Sequence, residues 1–471
     1  MKKWIGLIAG ITVPLLILSL PRESIPIIGL TLVEQRLLAI FSFAVIFWIM
    51  EPIPVFSASV LIIFLQLLLI SDKGLIWFRQ NPDAEGFGTL VPHKALFHTF
   101  AEPIILLFLG GFFLAMAATK YRLDVNLARV MLKPFGRKPA MVMLGIMLIT
   151  AMFSMFMSNT ATTAMMLAIL APVLALFDPD DPARVGIALS VPFAANVGGL
   201  GTPIGTPPNA VAMKYLTGDM AVSFGGWMGF ALPYVVVLLL LTWLMLSMMF
   251  KAKSQEVHLE IKGRFMRSWE AIAVYLTFAG TILLWLFGSK IGLNSYVVAL
   301  VPVAVFTASG IITAGDMKKM SWDVLWLVSG GLALGVGLSQ TGLSEHLVAS
   351  IPFDRFPPHL IVCMAVMLCI VMGTFMSHTA TANLVLPIIA ALGMGLASLE
   401  PLGGTKMLVI ASTFGCSLAM ALPISTPPNA LAYATNFFET KNMIKAGLAV
   451  NVIGLTLVFV MLFVLNQIGY F

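Results

Sequence analysis

Charge is what this 471-residue chain has least of. Asp, Glu, Lys and Arg make up 10% of it, against roughly 25% in an ordinary soluble globule. Cysteine is scarce too. Cys363, Cys369 and Cys416 lie in apolar runs with no CxxC pair, which argues against a disulfide framework or thiolate metal centre. No HExxH, Gly-x-Ser-x-Gly or Walker loop occurs, so intramembrane proteolysis, hydrolase chemistry and ATP-driven pumping lose their usual signals. The 27 Lys and Arg residues give a net charge of +6 but are scattered through short loops and form no stripe, so no nucleic-acid partner is expected.

What is present is apolar: 59% hydrophobic residues and a mean hydropathy of +1.00, arranged in runs of about the 20 residues that cross a bilayer as helix. Met1-Lys2-Lys3 followed by the run Trp4 to Leu20 has the outline of a signal peptide. It ends in Pro21-Arg22-Glu23 without a small-residue cleavage site, and is read as a retained first span. Hydropathy predicts eleven spans, near 4–20, 36–50, 54–70, 103–119, 186–213, 227–250, 269–288, 296–313, 322–340, 407–433 and 446–468. Two further apolar stretches, 139–177 and 359–398, are interrupted by polar clusters. Each is either two spans or a re-entrant hairpin, and both options return the chain to the side it came from. The expected fold is an all-α polytopic membrane domain.

Loop charge orients it. With the N-terminus cytoplasmic, 18 of the 27 Lys and Arg fall inside, the densest groups being 120–138 and 251–267, as the positive-inside rule requires. The C-terminus then lies outside, and the expected location is the inner (plasma) membrane.

An internal repeat is the most informative feature. MFMSNTATTA at 155–164 matches TFMSHTATAN at 374–383, and LGTPIGTPPNAV at 200–211 matches MALPISTPPNAL at 420–431, at offsets of 219 and 220. Gly110-Gly111 and Gly330-Gly331 fall in the same register and read as close-packing or kink sites. An odd number of crossings separates the copies, so residues 36–250 and 268–468 form inverted repeats, preceded by a span and linker at 1–35.

The repeated regions carry no Asp, Glu, Lys or Arg in their apolar cores, whereas proton relays and cation antiporters usually need buried carboxylates. They carry Ser, Thr, Asn, Gly and Pro, which let a helix break and expose its backbone. Ser154 and Ser158, four apart, are expected on one face of the first arm, with Ser158, Asn159 and Thr160 capping the arm that begins near Ala161. The paired prolines of Thr206-Pro207-Pro208-Asn209 and Thr426-Pro427-Pro428-Asn429 predict discontinuous spans. Helix N-termini suit an anion, and opposed C-terminal carbonyls suit a cation. His378 stands where the first copy has Asn159 and is expected to serve substrate or coupling. His93, His98, His258, His346 and His359 fall in loops or at a hairpin base.

These paired Ser-Asn-Thr-like and Thr-Pro-Pro-Asn motifs resemble the divalent anion/sodium symporter family over nearly the whole chain. The resemblance implies two re-entrant hairpins beside eleven spans, and an elevator-type transporter. The hairpins and broken spans would move against a homodimeric scaffold of spans 54–70, 103–119, 296–313 and 322–340. It implies substrate contacts from Ser158, Asn159, Thr160, Ser377, His378 and Thr379, and from Thr206, Pro207, Thr426 and Pro427. A first sodium site would use Ser154, Ser158, Asn159 and the backbone at Gly205. The second departs from the family pattern. Gly373 replaces the serine and His378 the amide, leaving Thr374, Met376 and Ser425 as further ligands. The expected activity is sodium-coupled import of a C4-dicarboxylate such as succinate, malate or fumarate, with no covalent chemistry. Sodium-independent exchange, with imidazolium substituting for a cation, and a passive anion channel are the alternatives.

Overall fold

The computed structural model describes residues 2–80, 84–174, 177, 178, 180–253, 256 and 264–471; His258 and Lys262 lie outside them. Among the described residues the chain is helices and loops, with one isolated bridge between Ser71 and Val91. The N-terminal helix α1 (Lys2–Ser19) lies along α2 (Leu32–Met50). A capping box starts α2: Thr31 Oγ1 accepts from the Glu34 amide, and Glu34 Oε2 accepts from the Thr31 amide at 2.7 Å. After α3 (Val55–Leu69), the following loop is pinned by the buried Arg36. Its Nη1 donates to the Phe78 carbonyl at 2.6 Å while the guanidinium lies 4.9 Å from the Phe78 ring centroid.

The first repeat continues through α4 (His93–His98), α5 (Pro103–Lys120), α6 (Leu123–Leu132), α7 (Pro139–Ser154), α8 (Asn159–Leu174), α9 (Pro182–Gly199), α10 (Pro207–Met213) and α11 (Phe224–Met249). The second runs α12 (Trp269–Phe287), α13 (Ser295–Val298), α14 (Leu300–Ala308), α15 (Ala314–Met317), α16 (Trp322–Thr341), α17 (Leu343–Ala349), α18 (Pro358–Phe375), α19 (His378–Gly395), α20 (Gly404–Leu418), α21 (Pro427–Tyr433) and α22 (Thr440–Gln467). From α5 to α11 and from α16 to α22 the two copies match element by element. Proline opens α5, α7, α9, α10, α18 and α21, where its missing N–H costs no helical bond. Eight helices among the described residues are long and apolar enough to cross a membrane, and several apolar ones are shorter.

The paired glycines set how the repeats assemble. A Cβ on Gly110 of α5 would collide with the Ala299 carbonyl beside α14, and one on Gly330 of α16 would collide with Ser59 of α3. Glycine therefore lets α5 approach α14 and α16 approach α3, so these are close-packing positions rather than kinks. The second glycines differ. Gly331 faces the side chain of Asn383 on α19, whose Nδ2 donates to the Leu327 carbonyl at 3.1 Å. Gly111 has only Ile204 near, at 3.6 Å or more from such a Cβ. The broken spans exchange partners across the repeats: α10 packs on α19 and α20, and α21 packs on α8 and α9.

Candidate functional site

Each apolar stretch with a polar centre folds as two helices separated by a short break, a turn in the first and extended at Met376 in the second. In the first, α7 stops at Ser154 and α8 starts at Asn159. Ser158 Oγ accepts from the Ala161 amide at 3.1 Å, and in the second break Ser377 Oγ accepts from the Ala380 amide at 3.2 Å. The serines are thus matched N-caps. The shared helix face expected for Ser154 and Ser158 is absent, because the arm ends before Ser158. Burial separates the tips: Thr160 is exposed, whereas His378 and Thr379 are 7% and 9% exposed.

The interruptions in the broken spans lie just before the prolines, at 200–206 and 419–426. One asparagine closes each of them. Asn209 Nδ2 reaches the Gly199, Leu200 and Thr202 carbonyls at 3.0, 3.2 and 2.8 Å. Asn429 Nδ2 reaches the Met420 and Leu422 carbonyls, both at 2.9 Å. Carbonyls orphaned by a broken helix in a dry interior need such partners. Thr206 and Thr426 adopt the same extended backbone, with φ of −145° and −143°, and present Pro207 and Pro427 as first helical residues.

At the first tip, oxygens converge. Ser154 Oγ lies 2.7 Å from the Ala195 carbonyl and 2.5 Å from Asn159 Oδ1. The Asn159 amide covers Gly199, where a Cβ would stand 2.8 Å from its Oδ1 and 3.1 Å from the Gly205 carbonyl. The structure brings Ser154, Asn159 and Gly205 together around Gly199, while Ser158 contributes its oxygen to the helix cap. This is a hard-oxygen donor set of the kind a small cation takes.

The second tip is built differently. Gly373 stands for Ser154, and Ala419 stands for Gly199. His378 Nε2 lies 2.6 Å from the Ala419 carbonyl, and since a carbonyl only accepts, that nitrogen carries hydrogen. Thr374 Oγ1 donates to the Ile370 carbonyl at 2.7 Å, while its own carbonyl accepts from Ser425 Oγ at 2.8 Å. Met376 is buried in extended backbone at the break.

Several residues at the centre escaped sequence reasoning: Asn196, Gly199, Thr202 and Ala419. Thr202 Oγ1 donates to the Met155 carbonyl, tying the interruption to the first tip. Asn209 and Asn429 lie inside the repeated Thr-Pro-Pro-Asn motif, and their recurrence is the signal that marks them. At the end of α5, Lys120 Nζ lies 2.6 Å from Asp316 Oδ2 of α15. That contact, with bonds from Thr313, holds the Asp316 carboxyl well below the usual carboxylate range.

Comparison with known proteins agrees with this architecture. A family model described as the sodium:sulfate symporter transmembrane region matches residues 1–467. An uncharacterised transporter of Schizosaccharomyces pombe is 30% identical over 89% of this chain, which spans 48% of that protein. The inorganic phosphate transporter PHO87 of Saccharomyces cerevisiae is 28% identical over 85% of this chain and 43% of its own length. The chain thus spans about half the length of these two relatives. The sodium-dependent dicarboxylate transporter SdcS of Staphylococcus saprophyticus is 27% identical over 91% of this chain and 85% of its own. Among solved structures, the YdaH transporter of Alcanivorax borkumensis shares the fold at 15% identity, with a TM-score of 0.60 over 89% of this chain and 99% of that one.

Proposed function

The chain belongs to the sodium:sulfate symporter family of multi-pass membrane transporters, which are not enzymes, and from that premise we propose that it imports a C4-dicarboxylate together with sodium. The observation that carries the proposal is the convergence of Ser154 Oγ, Asn159 Oδ1 and the Ala195 carbonyl at the first tip. The relative named as a sodium-dependent dicarboxylate transporter supports the substrate class.

In this reading the dianion lies between the two tips. Ser158 caps only Ala161, leaving earlier first-turn amides of α8 for a carboxylate, and α19 offers the same at His378 and Thr379. Thr206, Pro207, Thr426 and Pro427 line the site from the broken spans. Sodium at Ser154, Asn159 and Gly205 offsets the charge of an anion that meets no fixed cationic side chain there. If bound cations exceed the substrate's charge by one, the membrane potential adds about 2.3 kcal/mol per 100 mV.

The spans are proposed to number eleven beside two re-entrant hairpins, with the N-terminus cytoplasmic and the C-terminus outside the plasma membrane. The hairpins and broken spans would move as an elevator against a homodimer scaffold containing α3, α5, α13, α14 and α16. A second reading, sodium-independent dicarboxylate exchange, is favoured by one observation: His378 occupies the Ala419 carbonyl at the tip where Gly373 replaces the counterpart of Ser154.

Labelled succinate uptake into proteoliposomes tests both. Uptake that requires an inward sodium gradient supports symport. Uptake only into sodium-free, succinate-loaded vesicles supports exchange. Failure in both, with uptake of inorganic phosphate or sulfate, would replace the substrate class.

A further inference from the structure

Adjacent residues on α9 face the two repeats. The Ala195 carbonyl belongs to the oxygen cluster at the first tip, where it meets Ser154 Oγ at 2.7 Å. Asn196, fully buried, sends its side chain into the second repeat: Nδ2 donates to Thr426 Oγ1 at 3.2 Å and to Asn429 Oδ1 at 3.1 Å. Asn429 in turn holds the Met420 and Leu422 carbonyls. A continuous polar chain thus runs from the first tip to the second Thr-Pro-Pro-Asn element.

The reciprocal chain is missing. Cys416 occupies the position 220 residues after Asn196, and a thiol is a poor substitute for an amide donor. At the mate of Asn429, Asn209 Oδ1 is buried without a hydrogen-bond partner, as is Asn196 Oδ1 itself. Thr206 caps nothing with its side chain, whereas Thr426 Oγ1 accepts from the Asn429 amide at 3.2 Å. Only the first repeat therefore sends an amide donor from this position into the Thr-Pro-Pro-Asn element of the other.

We propose that Asn196 is a positioning residue that couples cation occupancy at the first tip to anion binding at Thr426 in the second repeat. The proposal rests on the reading that the Ser154 cluster holds sodium. A cation drawing on the Ala195 carbonyl and Ser154 Oγ fixes the C-terminal end of α9. The two bonds from Asn196 then fix the side chains of Thr426 and Asn429 at the anion site. Coupling of this kind is reciprocal, so the substrate must also tighten sodium.

The test uses the purified full chain in detergent, with thermal unfolding read during sodium titration in the presence and absence of saturating succinate. In the wild type, succinate should lower the sodium midpoint by about fivefold or more. In Asn196→Ala, sodium alone should still stabilise, but succinate should lower its midpoint by less than in the wild type. Asn196→Cys, which installs the residue the other repeat uses, should behave alike and serves if alanine does not fold. A merely structural role would lower stability without changing the coupling factor. Retention of that factor in a folded variant overturns the proposal, as does loss of folded protein in both variants. So does a wild type that sodium stabilises but whose sodium midpoint ignores succinate. A wild type that sodium does not stabilise overturns the sodium reading itself, and this proposal with it.

Discussion

Gly373 and Ala419 are fitted to each other: a Cβ on Gly373 would stand 2.7 Å from the Ala419 Cβ. At the matching positions of the first repeat the bulk is distributed the other way, with Ser154 on the hairpin and Gly199 on the broken span. The second repeat carries its side-chain carbon on the broken span and not on the hairpin, and has lost a hydroxyl oxygen in doing so. Gly373→Ser alone should therefore clash, costing about 1–3 kcal/mol by overpacking. Gly373→Ser with Ala419→Gly should restore the stability and add an oxygen to the second tip, increasing the steepness of the sodium dependence of uptake. A double variant no more stable than the single would show that the two positions do not compensate.

Asn159→Ala and Thr379→Ala remove one polar group from each tip. Each should weaken substrate affinity about 10- to 100-fold, the equivalent of about 1.5–3 kcal/mol for a hydrogen bond to a charged group, with melting temperature close to wild type. Wild-type uptake kinetics in either would remove that tip from the site.

His378→Asn gives the second tip the amide found in the first. It also frees the Ala419 carbonyl from the imidazole 2.6 Å away. Sodium titration of uptake should shift to lower midpoints. An unchanged curve would mean that the imidazole does not compete with a cation there.

Gly331 and Gly111 are mates in the repeat, yet they should differ in tolerance. Gly331→Ala drives a methyl into Asn383, whereas Gly111→Ala makes ordinary contact with Ile204. The first should lower thermal stability by about 1–3 kcal/mol, and the second should change it little or raise it through helix propensity, about 1 kcal/mol at most. Equal damage from both would contradict the packing described.

Asp316 joins Lys120 at the end of α5 to the cap of α15. Its carboxyl is held low, so its contribution is fully present above the unfolded-state value of about 3.9 and is lost as pH falls through the lower folded value. Asp316→Asn should cost about 1 kcal/mol near neutrality, given the partial exposure of the pair. The difference from wild type should shrink below about pH 4. A gap in melting temperature that stays constant down to pH 3 would argue against the ionised pair as its source.

Much of this architecture was written in repetition. Thr206-Pro207 and Thr426-Pro427 announce two broken helices, and the cap expected at Ser158 recurs at Ser377, because the same local physics occurs twice. Hydropathy erred where polar residues are buried with partners. It began α2 late because Glu34, Gln35 and Arg36 look like loop, yet Gln35 Nε2 donates to the Ile17 and Leu20 carbonyls, both at 2.8 Å, and Arg36 is covered by Phe78. It passed over α6, where Asp124, Asn126 and Arg129 interrupt the apolar pattern of an amphipathic helix. Asn196 left no trace in the repeat because its mate is Cys416, and the direction of the Thr374 hydroxyl depends on packing that spacing does not encode.

The two amides that close the broken spans have a consequence for the membrane itself. Asn209 and Asn429 occupy carbonyls that would otherwise recruit water to the middle of the bilayer. With those acceptors taken by protein, the interruptions offer fewer sites to a file of water along which protons could hop. Under the proposed ion coupling, this lets a helix be opened for an ion while limiting proton leak.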